Sequence, residues 1–222
     1  MTDVKCERVE AILPDEAAVR KACAALPEWR RNKAEEFRFE ADRRRSVAVW
    51  ILLRQMLAER GLDADSLQVF ENDYGKPAFN PAVGLHFSLS HAGSRVMAAV
   101  SDAEVGCDVE RIVPVDDGML ETALSEAERT HLAALSGPDR DQAFIRLWVR
   151  KESFVKAVGR GMDIDLSTFS ALSLPPSSGW AWQDFDFGDG YYGCVCTLRY
   201  PPRQNSAPPC AGAWRFGTIC KC

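Results

Sequence analysis

Two short stretches, about 40 residues apart, limit the folds open to this chain more than any other part of it. Residues 105–110 read Val-Gly-Cys-Asp-Val-Glu, an alternation that a β-strand sorts onto opposite faces. Asp108 and Glu110 then stand side by side on one face. Residues 147–156 carry helical periodicity instead: Trp148, Glu152 and Lys156 recur at every fourth position and share one face. A strand with two carboxylates and a helix with a carboxylate and an ammonium can together bind a hard cation and hold an anion beside it. The rest of the chain reads as support for that pairing and as a handle for a phosphorylated cofactor.

Around these stretches, helices and strands alternate. Residues 4–13 alternate in polarity and read as a strand. Pro14-Asp15-Glu16 opens a helix to about Leu26, since proline and acids both suit a first turn. Residues 28–40 are rich in Arg, Lys and Glu. A long helix follows to Arg60, with Val49, Leu52, Leu53 and Met56 at helical spacing and Gly61 as its stop. Residues 67–71 predict a strand and 72–77 a turn. Residues 85–90 and 95–101 predict a hairpin with its turn at His91. In the second half, Ser125-Glu126-Ala127-Glu128 is a capping box opening a helix to about Leu135. Gly137-Pro138 breaks it, and Asp139 starts the main helix, which ends at Gly159. Residues 164–173, 180–187 and 190–200 read as strands, 200–209 as a Pro-rich irregular segment, and 211–222 as room for one more strand. Each half opens on a strand and runs through helices to further strands. This predicts an α+β fold of two similar halves in a pseudo-twofold arrangement, residues 1–104 and 105–222, with the active site at their interface.

Charge and composition exclude several classes. A formal net charge of −5 over 222 residues does not steer the whole molecule toward nucleic acid, so any anion binding is local. No apolar run approaches the roughly 20 residues of a membrane span, and the first residues lack the apolar core of a signal peptide. The expectation is a cytoplasmic protein with reduced thiols and neither membrane nor nucleic-acid partners. Five of the eight cysteines fall in the last 30 residues or so, at Cys194, Cys196, Cys210, Cys220 and Cys222. The two C-x-C pairs leave one residue between thiols, where paired zinc ligands leave two to four. Buried or idle thiols are the plainer reading.

Three groups of residues carry chemistry. Asp108 and Glu110 suit Mg²⁺, which takes one or two carboxylates plus waters and phosphates, and Glu152 can be a third ligand or a base. Ser90 and His91, with Gly93 following, offer a hydroxyl, an imidazole and backbone N–H groups to a phosphate oxygen. Arg30, Arg31, Lys33, the run Arg43-Arg44-Arg45, and Lys76 can clamp phosphates if some turn inward. Each group also has a plain structural reading: a half-buried strand, a solvated Glu–Lys pair, a hairpin turn, a charged helix face. A serine hydrolase lacks its G-x-S-x-G elbow here.

Taken in order, the pieces resemble the 4′-phosphopantetheinyl transferases, in their larger monomeric type. The matching pieces are Tyr74-Gly75-Lys76-Pro77, His86-Phe87-Ser88-Leu89-Ser90-His91, Val105-Gly106-Cys107-Asp108-Val109-Glu110, and Trp148 through Lys156 followed by Gly159-Arg160-Gly161. The resemblance covers roughly residues 25–200 and leaves the Pro-rich segment and Cys-rich tail without a family role. It implies transfer of the phosphopantetheine arm of coenzyme A to a serine of an apo acyl or peptidyl carrier protein, with release of 3′,5′-ADP. It implies Mg²⁺ on Asp108, Glu110 and Glu152, with Glu152 also as general base and Lys156 at the departing phosphate. It implies cofactor contacts from Arg30, Lys33, Arg45 (or Arg44), Lys76, Pro77, Ser90, His91 and Asp108. Lys151 is then a phosphate contact or a support, Trp148 packing, and Glu128 an acid near the metal or the carrier. By position in the family, residues 111–125 meet the carrier, although Asp116 and Asp117 make no acid-binding patch.

Two other readings remain at this point. One keeps the fold and the coenzyme A pocket in a non-catalytic regulatory protein. The other is a metal-binding interaction module built on the C-terminal cysteines.

Overall fold

The computed structural model describes residues 1–199. The first half opens on strand β1 (Thr2–Arg8), followed by the short helix α1 (Val9–Ile12) and helices α2 (Glu16–Ala24), α3 (Glu28–Glu35) and α4 (Glu40–Glu59). A small hairpin, β2 (Val69–Glu71) and β3 (Pro77–Phe79), precedes β4 (His86–Ala92) and β5 (Arg95–Ser101). The second half opens on β6 (Val105–Arg111), then α5 (Asp117–Ala123), α6 (Glu126–Ala133), α7 (Gly137–Val158), β7 (Trp180–Asp186) and β8 (Tyr191–Leu198).

The two halves share one topology. In the first, an opening strand, a 20-residue helix and a hairpin give an antiparallel sheet of order β1-β5-β4. In the second, an opening strand, a 22-residue helix and a hairpin give the order β6-β8-β7. In both, the opening strand pairs with the last strand and the long helix packs on the sheet. Val47, Leu53 and Leu57 of α4 are fully buried against Val96, Ala98 and Val100 of β5. Each such side chain contributes roughly 1.5–3 kcal/mol by leaving water. Phe144, Leu147 and Val149 of α7 pack on Cys194 and Tyr192 of β8.

The halves meet where β4 lies beside β6. Ser88 Oγ accepts the N–H of Cys107 at 2.9 Å, and Ser90 Oγ accepts that of Val109 at 3.3 Å. Two serine hydroxyls thus stand in for ladder carbonyls along this seam. Gly106 sets how close α7 comes to β6. A Cβ there would lie 2.0 Å from the Ser153 carbonyl and 2.3 Å from the Ala157 nitrogen. Only glycine lets the acidic strand lie against the backbone of the helix.

Four expectations need correction. The alternating run at residues 4–13 is a strand only to Arg8, because Val9 turns into α1 and buries itself in the first core. His91 is not the hairpin turn: it pairs with Val96 inside the ladder, and the turn falls at Gly93, whose φ of 52° suits glycine. Residues 164–173 are no strand but an irregular segment with a 3₁₀ turn at Leu166–Thr168. Helix α5 has no counterpart among the expected elements; Asp116 caps it by accepting from the Gly118 and Met119 N–H groups. The expectations for residues 200–222 lie outside the described residues.

Candidate active site

Helix α7 is built to reach the seam. It has proline in its first turn, and Gly159 closes it with φ 75°. Its Glu152 and Lys156, one turn apart, face the seam between β4 and β6. Two adjoining cavities open there and share Leu89, Glu152 and Lys156 in their walls. The smaller, about 290 Å³, is lined by Ser90, His91, Asp108, Glu110 and Trp148. The larger, about 480 Å³, runs between Tyr74-Gly75-Lys76-Pro77 on one side and Gly159, Gly161, Ile164 and Leu166 on the other.

The smaller cavity holds more negative than positive charge. Asp108 is 3% exposed; its Oδ1 accepts from Ser90 Oγ at 2.8 Å and from Lys156 Nζ at 2.5 Å. Its other oxygen, Oδ2, is buried without a hydrogen-bond partner. Burial pushes the Glu110 carboxyl up to about 7, and the neighbouring Asp108 adds to the push. The same two causes, in the same order, raise Glu152. Burial works to strip the Lys156 proton, but Asp108, with Cys107 and Glu152 behind it, more than reverses this and raises its pKa. Three carboxylates thus face one ammonium. Asp108 Oδ2, without a partner, and the two carboxyls raised by burial put three acidic groups around one chamber, a donor set of the kind a hard cation takes. Among the described residues, no three His, Cys, Asp or Glu side chains already converge at ligand spacing. The donor set nevertheless fits Mg²⁺, with Asp108, Glu110 and Glu152 as the residues that would hold it.

The remaining candidates divide. His91 sits at the rim with Phe37 edge-on at 6.3 Å. Burial, then the charges of Arg45 and Lys156, lower its pKa. Arg45 stands close by, paired with Asp42 and donating to the Gly93 carbonyl at 3.3 Å. Lys33 is half exposed and paired with Glu71 at 2.6 Å. Lys76 lines the larger cavity with its stem, while its ammonium donates to Glu104 and to the Val105 and Ala157 carbonyls at 3.0–3.3 Å. It thereby clasps the β2–β3 hairpin to the second half. Pro77 lines the same wall. Two candidates are not brought to the site. Arg30 is 6% exposed and turned inward, donating to the Ser46 carbonyl and hydroxyl under Trp50. Lys151 is fully buried on another face of α7 and paired with Glu128 at 2.8 Å. Glu128 is fully buried and committed to this pair and to the Ser125 and Ala171 N–H groups, and it lines neither cavity. Arg44 donates to the Leu13 carbonyl and is also held away.

Sequence reasoning missed two contributors. Trp148 does more than pack: its indole N–H, a donor only, lies on the Glu110 carboxyl and works against the rise of its pKa. The four-residue spacing that grouped Trp148 with Glu152 carried the signal. Asn72 builds the Tyr74–Pro77 wall, accepting the N–H groups of Tyr74 and Lys76 and donating to the Gly159 carbonyl at 2.8 Å. Its place at the head of an Asn-Asp-Tyr-Gly turn was legible.

Known proteins agree with the layout. Residues 104–194 match the model of the 4′-phosphopantetheinyl transferase superfamily, and residues 12–103 match that of the N-terminal region of 4′-phosphopantetheinyl transferases. The chain belongs to the 4′-phosphopantetheinyl transferase superfamily, a class of enzymes. Among its relatives, it is 34% identical to 4′-phosphopantetheinyl transferase psf-1 of Bacillus pumilus over 77% of this chain and 78% of that one. It is 30% identical to the transferase ffp of Bacillus subtilis over 77% of this chain and 81% of the relative. With the transferase Sfp of Bacillus subtilis strain 168 the figures are 27%, 75% and 80%.

Proposed function

We propose that this chain attaches the 4′-phosphopantetheine arm of coenzyme A to a serine of an apo acyl or peptidyl carrier protein and releases 3′,5′-ADP. The observation that carries the reading is the shared wall of the two cavities: Glu152 and Lys156 face both a carboxylate-rich chamber and a larger, mostly apolar one. A cofactor with a charged pyrophosphate and an extended organic body needs that combination.

The chain's own groups account for the steps. The carrier serine oxygen attacks the pantetheine-side phosphorus, so an O–P bond forms while the bond to the bridging oxygen breaks. Glu152, made more basic by its burial, accepts the serine proton directly or through a water. Lys156 is held charged by Asp108 and meets the phosphate that leaves with the bridging electrons. Ser90 and His91 border the chamber beside the phosphates: His91 offers an imidazole N–H, and Ser90 would turn its hydroxyl from Asp108 to a phosphate oxygen. Arg45 and Lys33, each held by a single partly exposed carboxylate, can exchange that partner for a cofactor phosphate. Bound Mg²⁺ supplies charge neutralisation at the pyrophosphate. Arg30 and Lys151 hold structure rather than cofactor. We assign the enzyme to the cytoplasm, and read it as a monomer since the site is assembled from the two halves of one chain. The reading also keeps the division of the chain between residues 104 and 105 into two halves.

Incubation with coenzyme A, Mg²⁺ and a panel of apo carrier proteins tests this by intact mass. Each modified carrier gains one phosphopantetheine arm, and a chelator abolishes the gain. Coenzyme A binding without any modified carrier would overturn the transferase reading.

A further inference from the structure

A second buried lysine–carboxylate pair lies apart from the reaction site, on another face of α7. Lys151 and Glu128 are both fully buried. An ammonium has three donors, and those of Lys151 are all used: Glu128 Oε2 at 2.8 Å, and the Leu166 and Phe169 carbonyls at 2.6 Å each. Glu128 is equally committed. Its Oε2 also accepts the Ser125 N–H at 2.7 Å, and its Oε1 accepts the Ala171 N–H at 2.6 Å. The pair therefore ties the start of α6, the middle of α7 and the segment 166–171 into one network.

That segment needs outside help. Between α7 and β7 it forms only short 3₁₀ turns at Gly161–Asp163 and Leu166–Thr168. No strand of the described sheets comes from it, so its carbonyls have no ladder to join. Its first part, Gly161, Ile164 and Leu166, is one wall of the 480 Å³ cavity. Successive positions on a helix point about 100° apart. Residues 151 and 152 thus serve different surfaces: Glu152 the cavity, Lys151 the segment that walls it.

We propose that Lys151 is a positioning residue for coenzyme A: anchored by Glu128, it binds the Leu166 and Phe169 carbonyls and fixes the 161–171 segment as a wall of the cofactor cavity, without touching phosphate or metal. This rests on reading that cavity as the coenzyme A site. Buried pairs with every donor and acceptor matched hold the backbone they touch in a single arrangement.

Steady-state transfer kinetics on the full chain test it, using Lys151→Met, Lys151→Arg, Glu128→Gln and the double variant Glu128→Gln/Lys151→Met. Lys151→Met raises KM for coenzyme A about tenfold or more with kcat within about threefold, because the wall moves while the reacting groups stay. Hydrogen exchange of the 166–171 amides speeds up in the same variant. The double variant recovers most of the stability, since neutral Glu128→Gln leaves no buried charge unpaired, but keeps the raised KM, since the Leu166 and Phe169 carbonyls still lack their donor. Lys151→Arg does not restore the KM, because a planar fork cannot take the place of a three-point ammonium in a closed pocket. If Lys151→Met fails to fold, comparing the double variant with Glu128→Gln alone gives the same KM readout.

A collapse of kcat at saturating coenzyme A that Lys151→Arg rescues would make Lys151 a phosphate contact and overturn the proposal. Loss of stability with KM unchanged in the folded fraction would also overturn it. Wild-type protein that neither binds coenzyme A nor modifies a carrier would sink the functional reading and this inference with it. The exchange data would then describe a structural contact alone.

Discussion

Lys151 and Lys156 lie on one helix, and each meets a buried carboxylate, but the two pairs differ in what they leave unfinished. At Lys151–Glu128 the ammonium donors and both carboxylate oxygens have partners. At Lys156–Asp108 one carboxylate oxygen has none, and two further carboxyls nearby have raised pKa values. The first pair is complete without a ligand. The second carries an excess of negative charge that a bound cation would relieve. Burial of an ion pair therefore says little about function until its remaining lone pairs and donors are counted.

The largest effect that should separate the two regions comes from their glutamates. Glu152→Gln should lower kcat by about 10²–10⁴-fold through loss of the base, with little loss of stability. Glu128→Gln should do the reverse, costing about 3–5 kcal/mol by leaving Lys151 unpaired while kcat of the folded enzyme stays near wild type. Transfer rates and urea unfolding of the two variants, run side by side, check both. A stability loss of the same size in Glu152→Gln would erase the distinction.

Gly106→Ala comes next. Its Cβ meets α7 backbone at 2.0–2.3 Å, so overpacking should cost about 1–3 kcal/mol and lower the transfer rate as Asp108 moves from Lys156. Chemical denaturation and kinetics together check this, and a neutral result would mean that the strand–helix contact is looser than described. Trp148→Phe should be milder. It keeps the ring beside Phe144 but loses the indole N–H that works against the raised Glu110 carboxyl. Mg²⁺ affinity should fall about 10-fold, read from the metal dependence of the rate.

The smallest effect concerns an exposed counterpart of the two pairs. Glu104 holds Lys76 and His86. Burial alone would raise its carboxyl, but the His86 hydrogen bond and the Lys76 charge outweigh this and lower it to about 2. A depressed carboxyl stabilises the fold above its unfolded pKa of 4.5 and loses that contribution as pH falls toward 2. Glu104 is 46% exposed, so solvent screening keeps the contribution below about 1 kcal/mol. Glu104→Gln should flatten the pH dependence of thermal stability on the acid side only.

The reacting side of α7 was legible in the sequence because its code is periodic. Asp108 and Glu110 follow the strand period, and Trp148, Glu152 and Lys156 the helical one, so spacing alone orients each element. The supporting side was not, because nothing in the spacing says that Lys151 pairs with Glu128 across 23 positions. Residues 164–173 looked like a strand for the same reason: their apolar side chains turn inward, but Lys151 rather than a neighbouring strand takes the carbonyls. Arg30 was expected as a cofactor contact on the resemblance, but nothing in a basic helix face says which guanidinium the fold turns into its own core, here onto Ser46 under Trp50. The hairpin turn slipped from Gly93 to His91 because Ser90 and His91 are polar in a strand whose polarity serves the seam.

One measurement bears most directly on the division of labour along α7: the rate of carrier mass gain at saturating coenzyme A and Mg²⁺ for Lys156→Met and Lys151→Met, assayed together below their unfolding temperatures. Lys156→Met should lose about 10²-fold or more, since the proposed mechanism sets its ammonium at the leaving phosphate. Lys151→Met should stay within about threefold of wild type, its defect showing only when coenzyme A is scarce. Equal losses at saturation would contradict the account.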